Sequence, residues 1–174
     1  MGLPFQYEYP RYFTRYTRLV PEGEILNILA GQQLDTLQFL NRLGEEVGAY
    51  RYEADKWSIK EVIGHIIDTE RIFSYRALCI ARDKTIPLPA FDQNVFAANA
   101  NYNDRPWLQI SDEFRLVREN TIVLFQSFSD AALKIQGFAS DYKITIRAIP
   151  YIVAGHELHH RHVITEKYLK SSFT

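Results

Sequence analysis

The length, composition and charge of this chain exclude several classes of protein. It has 174 residues, of which 47% are hydrophobic and 14% are aromatic, which is enough to fill one core and too apolar for a disordered chain. The formal net charge of −1 argues against a nucleic-acid-binding protein, because neutralising phosphates requires a surface rich in lysine and arginine. We therefore predict one folded domain with no nucleic-acid partner.

The cysteine count and the hydropathy pattern bear on the cellular compartment. A single cysteine, Cys79, excludes an internal disulfide and a metal site built from several thiolates. The N-terminus lacks a charged segment followed by an apolar one, and no apolar run reaches the roughly 18 residues of a membrane-spanning helix. These features predict a cytoplasmic protein with no membrane partner.

The first 21 residues are rich in aromatic side chains and show no helical periodicity. We predict that residues 1–21 form an extended arm that packs across the domain or across a partner subunit. The domain itself is predicted to span residues 22–170. Its first helix runs from Glu22 to Leu43, where apolar residues recur at helical spacing, and Gly44 is a typical stop signal.

The second helix has a well-defined predicted start. Ser58 followed by Glu61 forms a capping box, in which each side chain binds a free backbone N–H of the other residue. The apolar residues that follow place His65 at the edge of the apolar stripe. We therefore expect His65 to face a seam of the helical bundle and not open solvent.

Periodicity fails between Asp83 and Ile110, where prolines and asparagines interrupt the pattern. Loops of this length are uncommon without a function, so this connection either folds partly over a functional site or serves only as a structural link. A third helix is predicted from Ser111 to Phe128, and residues 137–143 are predicted to form a loop or a brief hairpin.

The strongest functional signal lies in the fourth predicted helix. Four of the five histidines occur within seven residues, and His156 and His160 fall in the middle of an apolar stripe, one turn apart. Buried imidazoles without partners cost about 1–3 kcal/mol each, and a shared metal ion would satisfy both. A third ligand has to come from upstream, where His65 is the only histidine. Thr145 is the predicted cap, and Pro150 indicates that the regular helix begins later or is kinked.

Two further patterns accompany these histidines. Gly64 and Gly155 each precede a predicted ligand, and small residues there would let the two helices approach closely; the alternative is coincidence. The string from His156 to His160 also matches the H-E-x-x-H signature of metalloproteases, in which the glutamate is the general base. We disfavour the protease interpretation, because only fourteen residues follow His160 and such enzymes take a third ligand downstream.

Two blocks of this sequence resemble the DinB/YfiT-like superfamily. The first is KWSIKEVIGHIIDTE at residues 56–70, and the second is AGHELHH at residues 154–160. The resemblance extends over residues 22–169. It implies an all-α fold, namely a four-helix bundle with a long connection between helices two and three, which is often a homodimer. It also implies a divalent metal ion held by His65, His156 and His160. We expect zinc or nickel, and three imidazoles equally suit iron and copper.

Three neutral imidazoles leave a metal ion with a free position, which is typical of a reactive site. The resemblance implies an enzyme that activates a low-molecular-weight thiol or water and attacks a small-molecule substrate, as a thiol S-transferase or a metal-dependent hydrolase. Glu157 and Arg76 are candidate catalytic residues, and Asp68 and Glu70 are candidates for orienting the site. The alternatives are a non-catalytic metal-binding or regulatory protein, or an ion that only links the helices.

Overall fold

Four long helices form the body of the protein in a computed structural model that describes residues 2–170. Met1, the first residue of the predicted arm, lies outside the described residues. The α-helices are α1 (Thr14–Thr17), α2 (Ile25–Gly48), α3 (Ile59–Arg82), α4 (Gln93–Asn99), α5 (Trp107–Gln126), α6 (Asp130–Leu133) and α7 (Ile149–Val163). Strands β1 (Gln136–Ala139) and β2 (Tyr142–Thr145) form an antiparallel hairpin, and a π-helical segment (Ile164–Leu169) continues α7.

The long helices α2, α3, α5 and α7 pack as a four-helix bundle with an uncommon order. Helices α2 and α3 follow each other in the sequence, yet each makes its main contacts with α5 and α7. The two consecutive helices are therefore diagonal to each other, and α7 lies beside α3. The predicted four-helix bundle is confirmed, and this order places the histidines of α3 and α7 on adjacent helices.

The predicted helix starts are confirmed at α3 and shifted at α5. Ser58 Oγ accepts a hydrogen bond from the Glu61 amide at 3.1 Å, and the Glu61 carboxylate accepts from the Ser58 amide at 2.7 Å. Helix α5 begins at Trp107, four residues before the predicted Ser111. The tertiary structure explains the difference, because the Trp107 amide donates to the side chain of Glu45 at 2.7 Å and one free N–H of the first turn is thus satisfied.

Helices α2 and α7 differ from prediction at one end each. Gly44 leaves helical geometry with φ 73°, as a stop signal should, but helical structure then resumes and continues to Gly48. At α7, Thr145 caps a 3₁₀ turn (Ile146–Ala148), and the regular helix begins at Ile149. Pro150 then sits in the first turn, where its missing N–H costs nothing. Of the two predicted alternatives, the later start is the one observed.

The N-terminal segment is not extended, so this part of the prediction is wrong. It forms 3₁₀ turns at Gln6–Glu8 and Arg11–Phe13, followed by α1, and it packs on α7. Arg147 Nε donates to the Glu8 carboxylate at 3.1 Å, which ties the segment to the start of α7. Tyr9 and Tyr16 bury their rings against the bundle, whereas Phe5, Tyr7 and Tyr12 stay exposed. Burial of these two apolar rings favours the compact segment over an extended arm.

The long connection after α3 folds back along the same helix. It contains α4 and a 3₁₀ turn (Tyr102–Asp104), and the Tyr102 hydroxyl donates to Asp68 at 3.1 Å. Within residues 2–170, none of the helices combines the length and the apolar character that a bilayer crossing demands.

The two glycines that precede predicted ligands do not bring α3 and α7 together, and this prediction is wrong. A Cβ atom at Gly64 would lie 2.2 Å from the ring of Tyr102, and one at Gly155 would lie 2.1 Å from the backbone oxygen of Tyr16. Instead, Gly64 lets the connection pack closely against α3, and Gly155 lets the N-terminal segment pack closely against α7. Both segments therefore pack directly beside the histidines.

We expect Gly155→Ala to destabilise the protein by about 1–3 kcal/mol, because the new methyl group would overlap backbone atoms that have no rotamer to escape into. Urea denaturation would measure this change. Gly31→Ala is the matched control, since Gly31 is exposed in α2 with no atom within 4 Å of an added Cβ. That control should raise stability by up to about 1 kcal/mol through helix propensity, and equal losses at both sites would contradict the packing argument.

Candidate metal centre

The three predicted ligands meet at one point between α3 and α7. His65 Nε2 and His160 Nε2 each lie 3.1 Å from His156 Nε2, and one nitrogen from each ring falls within 4.8 Å of the others. His65 and His156 are buried, whereas His160 is partly exposed. Helix packing has thus joined side chains 91 residues apart in the sequence.

The hydrogen-bonding capacity of these rings points to a shared cation. A neutral imidazole has one N–H and one lone pair, so the single Nε2 of His156 cannot make full hydrogen bonds to two neighbours. Three lone pairs directed at one positive ion would satisfy all three rings. Nitrogens at about 2.0–2.1 Å from a tetrahedral zinc ion lie about 3.3 Å from one another, close to the 3.1 Å seen here. The donor set and its spacing therefore fit a divalent transition metal.

Burial keeps the three imidazoles neutral. It lowers the pKa of His65 to about 4 and that of His160 to about 3, from an ordinary 6.5. The pKa of His156 is well below its ordinary value because of burial and then because of the neighbouring His160 and His65. Neutral rings are the form that binds metal, so their lone pairs are available near neutral pH.

These lowered pKa values predict that the metal-free protein loses stability in mild acid. The unfolded chain takes up protons as the pH falls below 6.5, whereas the folded rings do not until about pH 4 for His65 and about 3 for His160. Stability should therefore decrease as the pH falls from 6.5 towards 4, by about 1.4 kcal/mol per pH unit for each imidazole involved. Urea denaturation of chelator-treated protein at several pH values would measure this slope.

The matched control for this titration is a variant with all three histidines replaced by glutamine. Its stability should vary much less with pH over the same interval, because glutamine does not titrate. An equally steep dependence in the variant would assign the effect to other groups.

Neighbouring side chains hold the rings in place. Thr69 Oγ1 lies 3.4 Å from His65 Nδ1, one turn along α3, and can accept the proton of that nitrogen so that Nε2 keeps its lone pair. The Trp57 ring packs 5.1 Å from His65, and the Tyr16 ring packs edge-on 5.2 Å from His156. The N-terminal segment therefore contributes directly to the shape of the centre.

The two remaining histidines of α7 stand apart from this centre. His159 is not in the three-histidine group; its ring lies 5.1 Å from that of His160 and 5.3 Å from Tyr16. His162 is exposed. His159 therefore flanks the centre, and His162 lies at the surface.

Glu157, a candidate catalytic residue, lies in a buried charged layer across the bundle. Its carboxylate accepts hydrogen bonds from Thr36 Oγ1 and from Arg118 Nη2 at 2.7 Å, and its side chain is fully buried. Arg118 also donates twice to Glu70, at 2.8 Å each. Because Glu157 is committed to these partners, it is poorly placed to act as the base of a metalloprotease-type site.

The sequence analysis missed Arg118, the centre of this layer. The signal was present, since Arg118 lies four residues after Phe114 and three before Thr121, on the buried side of α5. Burial alone would lower the pKa of Arg118, but the carboxylates of Glu70 and Glu157 raise it overall. Each long helix contributes one polar side chain to the layer, which we call the Arg118 layer: Thr36, Glu70, Arg118 and Glu157.

Of the other candidate residues, Arg76 lies beside the three-histidine centre, whereas Asp68 and Glu70 bind other side chains. Arg76, the second candidate catalytic residue, lines a cavity of about 210 Å³ together with His65 and His156. Asp68 faces Tyr102 in the connection, and Glu70 belongs to the Arg118 layer. Phe91 and Gln93 of the connection also line this cavity, so the segment before α5 does fold partly over the centre.

Comparison with known protein families identifies the superfamily of this chain. Residues 29–164 match the sequence profile described as the DinB superfamily. The chain belongs to the DinB superfamily. The family predicted from residues 56–70 and 154–160 is therefore confirmed, although no functionally curated protein matches the chain.

Two solved structures share the fold of this DinB superfamily member. YfiT from Bacillus subtilis, described as "a probable metal-dependent hydrolase with an unusual four-helix bundle topology", superposes with a TM-score of 0.73 at 13% identity, over 98% of this chain and 94% of that one. A DinB-like protein from Bacillus subtilis, YjoA, gives a TM-score of 0.61 at 16% identity, over 87% of this chain and 94% of that one. At such identities the likeness concerns the fold alone.

Proposed function

We propose that this protein is a metal-dependent enzyme that acts on a small molecule, with His65, His156 and His160 as the metal ligands. The observation that carries the proposal is the meeting of three neutral imidazoles beside a cavity that substrate can enter. The description of YfiT as metal-dependent supports the same class. The metal is proposed to be zinc or nickel, both of which accept imidazole ligands.

The chain's own residues supply binding and orientation. A divalent ion on three neutral imidazoles lowers the pKa of a water or thiol that it binds, and so provides a nucleophile near neutral pH. Thr69 fixes the orientation of His65, and the rings of Tyr16 and Trp57 exclude water from the imidazole faces. His160 is the least buried of the three proposed ligands, and we propose that a second reactant reaches the centre from its side.

The reaction is proposed to be hydrolysis or transfer of a low-molecular-weight thiol. In either case the oxygen of water or the sulfur of the thiol forms a bond to an electrophilic atom of the substrate, and the bond between that atom and its leaving group breaks. The proton lost by the nucleophile passes to the leaving group. The free position left by three protein ligands suits both nucleophiles. A purely structural ion is disfavoured, because two extensive apolar clusters already bury the interior of the bundle and a chain of this length does not need a metal to fold.

Metal analysis followed by cobalt substitution tests this proposal. We expect the untreated protein to contain about one equivalent of zinc or nickel, and the chelator-treated protein to stay folded by circular dichroism. After reconstitution with Co²⁺, cysteine or glutathione should change the visible spectrum if a thiol is a reactant, and ester or amide substrates should be cleaved if water is. Protein that binds none of these metals, or that unfolds when chelated, would contradict an enzymatic metal centre.

The homodimer implied by the family resemblance stays a prediction. Light scattering of the purified protein would measure its mass against the 20.3 kDa of one chain.

A further inference from the structure

Arg76 is a buried arginine whose charge has no carboxylate partner within residues 2–170. The residue is only 5% exposed, and its Nη2 donates to the Pro89 carbonyl and to Ser140 Oγ, both at 2.8 Å. Burial lowers the pKa of Arg76, yet a guanidinium stays protonated at any physiological pH. Arg118, buried to a similar degree, has two carboxylates. A buried cation without a counter-ion is costly, and an anionic ligand would provide the missing charge.

Two adjoining cavities meet at this arginine. The smaller, of about 210 Å³, is the one lined by His65 and His156. The larger has a volume of about 470 Å³ and lies between the N-terminal segment and the hairpin. Both cavities are bordered by Tyr12, Phe13, Phe73, Arg76 and Ser140. Arg76 therefore stands between the candidate metal centre and the larger space.

The walls of the two cavities combine positive charge with apolar surface. Among the described residues that line them, Arg76 and Arg11 carry positive charge and none is an aspartate or glutamate. The larger cavity is otherwise formed mainly by aromatic and aliphatic side chains. Such a space favours a ligand that has one anionic group and an apolar body.

The guanidinium of Arg76 is also held in a fixed position. The rings of Phe73 and Phe91 flank it, with centroids 5.3 and 5.9 Å from Cζ. Ser140, which accepts one of its hydrogen bonds, sits in the hairpin turn with φ 52°, and its amide donates to the Leu88 carbonyl at 2.8 Å. The Nε and Nη1 donors of Arg76 stay free of protein partners among residues 2–170, so they can bind a ligand without rearrangement.

We infer that the joined cavities bind a small carboxylate with an aromatic or aliphatic body, whose carboxylate pairs with Arg76 while its body fills the larger cavity. A monoanion matches the single buried charge of Arg76, because Arg11 is exposed to solvent. A dianionic phosphate at Arg76 would leave one negative charge buried without a partner. A cavity of about 150 Å³ holds one benzene ring, so the larger space accommodates a body of about two or three rings. If the proposed function holds, this ligand is the substrate, and its reactive end extends towards the three histidines.

Calorimetric titration with a matched pair of probes tests this inference. The probes are 2-naphthoate and 2-naphthamide, which share a shape and differ in charge, and each is titrated into zinc-loaded and into chelator-treated protein. We expect the carboxylate to bind at least about tenfold more tightly than the amide in both forms, as for a hydrogen bond to a charged group. Arg76→Met should reduce this preference to less than about threefold. Arg82→Met, at an exposed arginine of α3, is the matched control and should keep it.

The possible outcomes separate this inference from the proposed function. Equal affinity for the two probes, no binding of either, or a preference that persists in Arg76→Met would overturn it. A preference seen only with zinc would also overturn it, because the carboxylate would then be bound to the ion. A preference that survives metal removal supports it even if the protein proves inactive. The wild-type comparison decides the matter by itself should the Arg76 variant fail to fold.

Discussion

Replacing His160 with alanine is expected to abolish stoichiometric metal binding. Only His65 and His156 would remain as ligands, and two imidazoles hold a divalent ion far less tightly than three. Loss of residues that merely orient a ligand already weakens metal binding 10- to 100-fold, so loss of a ligand should weaken it by more than about 100-fold. Elemental analysis of protein dialysed against buffer, and competition with a chromophoric chelator, would measure the change.

His162→Ala is the matched control for this experiment. His162 lies on the same helix and is exposed, so its loss should leave metal content and affinity within about twofold of the original protein. The His160→Ala variant should also keep its fold, because His160 is only partly buried. Full metal occupancy in His160→Ala, or equal losses in both variants, would contradict the assignment of the three ligands.

Replacing Arg118 with methionine is expected to destabilise the protein by about 3–5 kcal/mol. The substitution preserves much of the side-chain volume but leaves the buried carboxylate of Glu70 without a counter-ion and that of Glu157 with only Arg161, 3.8 Å away. Breaking a buried ion pair on one side has a cost of this size.

Urea denaturation of the variant, compared with the original protein, measures this loss of stability. Arg115→Met is the matched control, because Arg115 lies on the same helix with a side chain 39% exposed and pairs with Glu119 at the surface. That control should change stability by no more than about 0.5 kcal/mol. A loss below about 1 kcal/mol in Arg118→Met would mean that the Arg118 layer contributes little to stability.

Local signals were sufficient for much of the secondary structure. The capping box at Ser58 and the stop at Gly44 depend on side-chain and backbone interactions within a few residues, and both act where the sequence predicts. The start of α5 was misplaced because the side chain that satisfies the Trp107 amide belongs to Glu45. The N-terminal segment was misjudged for the same kind of reason, since its helical turns depend on packing against α7.

The candidate metal centre likewise has some features that local sequence predicts and others that only tertiary packing decides. Helical spacing indicated His156 and His160 as candidate ligands, because residues one turn apart can be recognised in a sequence. His65 was added as the only histidine upstream, and the structure brings the three rings together. The partners of Gly64 and Gly155 could not be recognised, because they come from segments whose position only packing decides. The sequence made Glu157 a reasonable catalytic candidate. It could not show that the Glu157 carboxylate is hydrogen-bonded to Arg118.

The sequence by itself determined the family, the four long helices and the choice of three histidines as candidate metal ligands. Periodicity, capping and residue type can all be read from the sequence without knowing how the helices pack. Only the tertiary structure decided that α2 and α3 are diagonal, that Arg118 joins carboxylates of α3 and α7, and that Arg76 is buried between two cavities without a carboxylate partner within residues 2–170. Arg118 pairs with residues 48 and 39 positions away in the sequence, and Arg76 binds Ser140 64 positions away. Such pairings depend on how helices pack, and no local pattern encodes them.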